Sequence, residues 1–265
     1  MSAKAQMSKT SSTPAIARPD FIEGMARGMA VLESFSTERQ RLNATLAAQR
    51  AGITRAAARR HLLTLAHLGY LETDGSHFWL SPKVLRLSGS YLASARLPRV
   101  LQPTLNRLSI QMGESFSATV LDGDEVVIVA RAGPTRVLAY GVHLGARLPA
   151  HATSTGLVLL AALSEGALAG WLEVHRLARL TPHTLVDPEA LRLALKRIRA
   201  DDFCQADQTH ELGVQALAVP LRNLKGDTLA ALNVVVGASR NGPERLAREL
   251  LPALQEAARE LRPLL

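Results

Sequence analysis

A chain of 265 residues with 47% hydrophobic side chains and a mean hydropathy of +0.07 can fill two cores and is read as globular. No apolar run reaches the ~18 residues of a membrane span, the opening MSAKAQMSKTSSTPAIARPD lacks an apolar signal core, and the one cysteine, Cys204, excludes an intrachain disulfide, so a cytoplasmic protein with no membrane partner is expected. The net charge of +8 is uneven: residues 1–100 carry 14 Lys and Arg against 6 Asp and Glu, whereas residues 101–265 carry 17 of each, which points the front third at a polyanion.

In chain order, residues 1–19 are small, polar and proline-punctuated and are expected to form a disordered tail. Phe21–Phe35 predicts a helix with Met25, Met29, Leu32 and Phe35 packed on the helix-turn-helix beyond it, and Arg39 and Arg41 lie in a charged loop within reach of phosphate. Ala44–Ala51 predicts a helix ended by a left-handed Gly52. Ile53 plugs the turn, and Thr54 caps a second helix, Arg55–Leu68. On it Ala58, Leu62, Leu65 and Gly69 fall at inward spacing, while Arg55, Arg59 and Arg60, with the small Ala56 among them, fall largely on the other side. Tyr70–Thr73, a turn at Asp74-Gly75 and His77–Leu80 read as a hairpin. Over residues 20–81 this is the pattern of a winged helix-turn-helix, although an ordinary helical hairpin with a solvated charged face shares the periodicity.

Ser81-Pro82 opens a helix, Lys83–Ala95, broken at Leu97-Pro98, so residues 82–99 read as a linker; its stripe of Val84, Leu87, Tyr91 and Leu92 suits a partner subunit equally well. From residue 100 to 265 the periodicity predicts a helix Val100–Met112, strands Ser115–Leu121, Val126–Ala132 and Val137–Val142, and an apolar helix Thr155–Leu163. Helices Glu165–Leu177 and Asp187–Arg199 come next, then strands Phe203–Ala206, Ala216–Leu221 and Thr228–Val236, and a closing helix Pro243–Leu261. Strands joined by hairpins, with helices at the ends and on one side, make an antiparallel α+β domain.

Enzyme signatures are missing: there is no GxSxG, P-loop, GxGxxG or HExxH. Cys204 with His210 could suggest a thiol nucleophile, but a buried structural cysteine explains the residue as well. His151 and His183 lack a second ligand at metal spacing, so no metal, cofactor or catalytic residue is expected. Two features suggest ligand binding. In HATSTG, Thr153, Ser154 and Thr155 precede an apolar helix whose free N–H groups suit a carboxylate, or simply form its cap. Asn233 sits in the apolar strand LAALNVVV, where a buried amide needs a partner. Asp207-Gln208-Thr209 adds polar groups after another strand, and a mostly Leu/Val/Ala cavity with a few such groups would suit a small organic acid.

The segments FIEGMARGMAVLESF, AGITRAAARRHLLTLAHLGYL, FWLSPKVLRLSGSYL, LGARLPAHATSTGLVLLA, ELGVQALAVPL and LAALNVVVGAS together resemble the IclR family of bacterial transcriptional regulators. The first two are most similar to the branch controlling protocatechuate and 4-hydroxybenzoate catabolism, often as activators. The resemblance implies a winged helix-turn-helix, a GAF-like effector domain, dimers associating into tetramers, a palindromic promoter in double-stranded DNA and, for an activator, RNA polymerase as partner. It places effector contacts at Ser154 and Thr155, near Ala206 and Asp207, at Ala216, and at Asn233 and Val235. Ala206, Ala216 and Val235 stand where some members carry Asp, Cys and Ser, a less polar lining that suits an aromatic ring such as 4-hydroxybenzoate or protocatechuate; β-ketoadipate is a further candidate. Arg131, Arg136 and Arg147 precede the helix as candidate partners for the acid, and Arg147 reads equally as structural. On DNA, Arg55, Arg59 and Arg60 are expected in the major groove with Thr54 and Ala56 beside them, while Arg27, Arg41 and His77 in the wing contact backbone or minor groove. A small-acid-converting enzyme with an accessory DNA-binding domain is the alternative.

Overall fold

A computed structural model describes residues 16–36, 39–134, 143–238 and 245–265. Residues 1–15 of the expected tail, Arg136 and the expected strand Val137–Val142 lie outside the described residues. The chain divides into two compact units, Met1–Gly89 and Ser90–Leu265.

The first unit holds α1 (Glu23–Glu33), α2 (Ala44–Ala51), α3 (Arg55–His67) and the hairpin β1 (Leu71–Thr73) and β2 (Phe78–Leu80). Local chemistry fixes the ends. Asn43 Oδ1 accepts from the N–H groups of Thr45 and Leu46 at 3.1 and 3.0 Å, Gly52 closes α2 at φ +64°, and Thr54 Oγ1 accepts from Ala57 N–H at 3.2 Å. Val31, Leu42, Ala58, Leu62, Leu71 and Phe78 form the core. Leu42 and Phe78 exchange backbone hydrogen bonds of 2.9 and 2.8 Å, which adds a rung to the hairpin that the residue pattern does not announce. Met25 and Met29, expected inside, are 67% and 46% exposed. α1 turns its Gly28 and Val31 face inward, with Phe35 buried just beyond the helix and a Cβ on Gly28 only 3.5 Å from His61 Nδ1, so the methionines lie to one side. Gly69 lies beyond α3 as a turn residue at φ +78° rather than on its inward face.

α4 (Leu85–Ser94) runs across the division between the units, and the chain breaks at Ala95, ahead of the expected Leu97-Pro98. Pro98 is tolerated because it sits in the first turn of α5 (Arg96–Met112), where backbone N–H groups have no intrahelical partner. The rest of the second unit is β3 (Ser115–Asp122), β4 (Glu125–Ala132), β5 (Arg147–Pro149), α6 (Ser154–Ala161), α7 (Glu165–Val174), α8 (Pro188–Asp201), β6 (Cys204–Asp207), β7 (Val214–Arg222), β8 (Thr228–Gly237) and α9 (Leu251–Leu261). α9 is preceded by a π-helical turn, Leu246–Leu250, next to Pro252, which cannot donate into a regular ladder.

The strands form one antiparallel sheet in the order β5-β4-β3-β8-β7-β6. Helices cover both faces, not one side as expected. Leu101, Leu105 and Leu254 of α5 and α9 pack with Phe116, Leu217 and Leu232, and on the other face Leu157 and Leu160 of α6 and Leu191 of α8 pack with Ala218 and Ala231. β7 and β8 are apolar at both parities, so each face needs a cover. α6 approaches the 3-10 turn Ala150–Ala152 so closely that a Cβ on Gly156 would stand 2.1 Å from Ala150 O. Gly156→Ala therefore forces a backbone shift of the overpacking kind, and calorimetry is expected to show a loss of about 1–3 kcal/mol, a fall in Tm of roughly 2–12 °C.

Candidate functional site

The face of the sheet toward the start of α6 opens into a cavity of about 190 Å³. Register builds it. Ser117 on β3 stands opposite Arg131 on β4 and Asn233 on β8, a polar row; beside it Ser115, Val235, Ala216 and Ala206 form a second, mostly apolar row across β3, β8, β7 and β6. A β-bulge completes the wall: Ala118 pairs Ala130 while Thr119 pairs Ile128, so Val129 is the extra residue. Ile128 and Arg131 are three apart and would face opposite sides of a regular strand; the bulge lets both line the cavity.

Four polar atoms of the lining, Thr119 Oγ1, Arg131 Nε, Ser154 Oγ and Asn233 Oδ1, are buried and have no hydrogen-bond partner among the described residues. Ser154 and Asn233 are 1% and 8% exposed. Thr153 is already engaged: its Oγ1 accepts from Gly156 N–H and donates to Pro149 O, both at 3.2 Å. The cavity thus brings together Thr153, Ser154, Thr155, Ala206, Ala216, Asn233 and Val235. Asp207 is not among them. Alternation along β6 turns Ala206 inward and Asp207 outward, where its Oδ1 accepts from Gln215 Nε2 at 3.1 Å. Arg147 is engaged at the surface with Glu125 and Asp122 at 2.6 and 2.8 Å, ion pairs that brace β5 against the β3–β4 turn.

Sequence reasoning does not place Ser115, Ser117, Thr119, His210 or Glu211 at the site, and leaves Arg131 as one of three candidates. A strand pattern with small hydroxyls at one parity, SFSATV, is the signal that could mark the first three. His210 makes no hydrogen bond among the described residues; burial pushes its imidazole below the usual 6.5, while Glu211 raises it and His151 lowers it further. Its loop is clamped, since Thr181 and Thr184 Oγ1 donate to Gln208 and Thr209 carbonyls and Thr209 Oγ1 donates to Ala152 O, each at 2.7 Å. Burial pushes the Cys204 thiol up to about 12, which removes it as a nucleophile at neutral pH. Among the described residues no cluster of three or more His, Cys, Asp or Glu could hold a metal, and no helix is long and apolar enough to cross a membrane.

In the first unit Arg55, Ala56, Arg59 and Arg60 are exposed on α3. The guanidinium groups of Arg55, Arg59 and Arg60 have no ion-pair partner among the described residues, whereas Arg27 pairs with Glu23 and Arg41 pairs with Asp74 at 3.0 Å while stacking 4.3 Å above Trp79. In the turn, Asp74 Oδ1 accepts from Ser76 and His77 N–H at 3.0 and 2.8 Å, and Ser76 Oγ lies 3.0 Å from His77 Nδ1.

Residues 24–75 match the IclR helix-turn-helix domain and residues 89–262 match the bacterial transcriptional regulator IclR C-terminal domain. The chain belongs to the IclR family. It is 49% identical over 254 residues to the Pca operon regulatory protein of Acinetobacter baylyi, covering 94% of this chain and 91% of the relative. It is also 49% identical over 256 residues to the p-hydroxybenzoate hydroxylase transcriptional activator of the same organism, covering 95% and 94%. The structure of an IclR homologue from Microbacterium hydrocarbonoxydans complexed with 4-hydroxybenzoate superimposes with a TM-score of 0.74 at 29% identity, over 91% of this chain and 98% of that one. This IclR-family chain is accordingly a transcriptional regulator and not an enzyme, and its α+β architecture is that of the family.

The chemistry of the wing and of Cys204 makes two titrations measurable. Backbone hydrogen bonds from His77 and Ser76, then the Ser76 hydroxyl and the Arg41 charge, hold the Asp74 carboxyl at about 2 rather than 3.8. The carboxylate's contribution to the wing is present above the ordinary value and is lost as pH falls through about 2, so NMR of the Ser76 and His77 amides is expected to titrate there and not near 4. Cys204 in the folded protein is expected to resist iodoacetamide at pH 8 and to react at the rate of a free thiol after denaturation, as followed by mass spectrometry.

Proposed function

We propose that this regulator senses a small aromatic acid in the cavity of its second unit and controls genes of aromatic-acid catabolism, as an activator. The observation that carries the reading is the convergence of four unpartnered buried polar atoms on one otherwise apolar cavity. Such atoms cost about 1–3 kcal/mol each unless a guest or ordered solvent completes them. Arg131 supplies the cation for a carboxylate, Ser154 and Asn233 supply hydrogen bonds, and Val235, Ala216 and Ile128 supply faces for a ring. The names and bound ligand of the similar proteins, a Pca operon regulator, a p-hydroxybenzoate hydroxylase activator and a 4-hydroxybenzoate complex, support the choice of acid.

For DNA the reading assigns Arg55, Arg59 and Arg60 to bases of the major groove, with Thr54 and Ala56 setting the start of the helix, and Arg27, Arg41 and His77 to backbone and minor groove. The unpaired state of the α3 arginines supports it, since nothing among the described residues must be broken before they meet DNA. Exposed Phe21, Ile22 and Met25 ahead of and on α1, and Leu87 and Tyr91 on α4, support self-association into dimers and tetramers. In this proposal the cytoplasm is the place of action and RNA polymerase the partner of the activated complex, as expected of an activator of this family.

Isothermal titration with 4-hydroxybenzoate tests the pocket. Arg131→Met is expected to weaken binding about 10- to 100-fold, the worth of a charge-assisted hydrogen bond, and Asn233→Leu to weaken it about 3- to 10-fold. Wild-type affinity in both variants would remove the cavity as the site. Arg60→Ala is expected to weaken promoter binding in a gel shift by roughly 5- to 100-fold, the loss of one bidentate base contact.

A further inference from the structure

The cavity has two unlike ends. Arg131 on β4 and Ala206 on β6 are separated by four strand intervals of roughly 4.8 Å each. The unpartnered atoms belong to Thr119, Arg131 and Asn233 on the β4–β3–β8 side and to Ser154 of α6. Beyond the apolar floor of Val235 and Ala216, the other end is the loop that carries His210 and Glu211. That loop is held in place: hydroxyls of Thr181, Thr184 and Thr209 pin it, and Gln208 is kept at φ +55°, a conformation a non-glycine residue occupies only when its surroundings impose it.

A ring lying on Val235 and Ala216 with its carboxylate at Arg131 turns its far edge to this loop. A neutral imidazole offers one N–H donor and one lone pair, and a phenolic hydroxyl both donates and accepts, so the two are complementary. A second carboxylate accepts only, and it would sit beside the negative charge of Glu211 with no cation of the lining to balance it, since Arg131 is the only Arg or Lys among the described lining residues. We propose that His210 and Glu211 are the specificity-determining pair of this regulator: His210 hydrogen-bonds a hydroxyl on the far edge of the aromatic acid, and Glu211 rejects a second carboxylate there. The effector class is thereby narrowed to hydroxylated aromatic monocarboxylates, with dicarboxylates excluded. The assignment rests on the aromatic-acid reading of the cavity.

The test is calorimetry on the full chain with benzoate, 4-hydroxybenzoate and terephthalate. Wild-type protein is expected to bind 4-hydroxybenzoate about 3- to 10-fold more tightly than benzoate, one hydrogen bond's worth, and terephthalate more weakly than either. In His210→Leu the hydroxybenzoate-to-benzoate ratio falls to about one while benzoate affinity stays within about threefold, and His210→Asn, which keeps a donor and an acceptor, restores part of the ratio. In Glu211→Gln terephthalate gains at least about threefold and 4-hydroxybenzoate does not. Glu211 is exposed, so this variant decides the matter even where a His210 substitution fails to fold. Wild-type ratios in His210→Leu, an unchanged terephthalate affinity in Glu211→Gln, or wild-type protein that binds terephthalate as tightly as 4-hydroxybenzoate each overturns the assignment. If none of the three acids binds the wild type, it is the aromatic-acid reading that fails; if they bind and the ratios ignore the substitutions, only the role of the pair fails.

Discussion

Asn233 in the middle of β8 is the group on which the design of the second unit turns. A side-chain amide at 8% exposure, between Leu232 and Val234 that serve the α5 and α9 core, has its carbonyl oxygen left without a partner. An apolar residue of similar volume would satisfy the sheet and remove the cost of an unmet acceptor. The same holds for Thr119 on β3, where valine would pack. Neither choice helps folding unless ordered water or a guest completes these groups in the space they face. One sheet therefore does two jobs. One face is closed by leucines, and the other is shared between the Leu-rich cover of α6 and α8 and a chamber that the fold leaves incomplete.

The chamber depends on two departures from regular structure. The extra residue Val129 in β4 brings Ile128 and Arg131 to one side, giving a cation and an apolar wall from a strand that would otherwise offer one or the other. Gly156 lets α6 start in contact with Ala150, which seats Ser154 and Thr155 against the sheet rather than above it. Both features cost backbone regularity and bring polar groups to the wall of the cavity, a trade common at binding sites built on rigid elements.

The parts of this arrangement that can be read from the chain are those governed by local rules. Gly52 and Thr54 fix the turn of the helix-turn-helix because capping and left-handed turns involve neighbours in sequence, and Asn233 stands out as an amide in a run of Val, Leu and Ala. The parts that escape are set by pairing between distant strands. Asp207 reads as a group at the mouth because it ends a strand, but the parity of β6 sends it to solvent and Ala206 to the cavity. Arg131 cannot be distinguished from Arg147 until the bulge turns one inward and Glu125 and Asp122 hold the other at the edge. Met25 and Met29 look like core at helical spacing, yet the small face of α1 around Gly28 is the one that fits against α3.

The two units store their binding capacity in the same form, as polar groups held without partners. Arg55, Arg59 and Arg60 are displayed in solvent, where an unpaired guanidinium costs nothing and a polyanion is met with the release of counterions. Thr119, Arg131, Ser154 and Asn233 each hold an unpartnered atom in a low-dielectric chamber, where the unpaired state is costly and a guest of the proposed kind would relieve it. The first kind of site stays ready at all times and is tuned by salt; the second changes the free energy of its own unit when it fills, by an amount set by ligand concentration over Kd. A regulator needs that asymmetry, because only the site whose occupation changes the stability of an arrangement can bias an equilibrium between arrangements, and then only by its difference in affinity for the two. If the cavity takes the proposed acid it has that capacity, and in the same proposal the arginines of α3 supply the surface on which the bias acts.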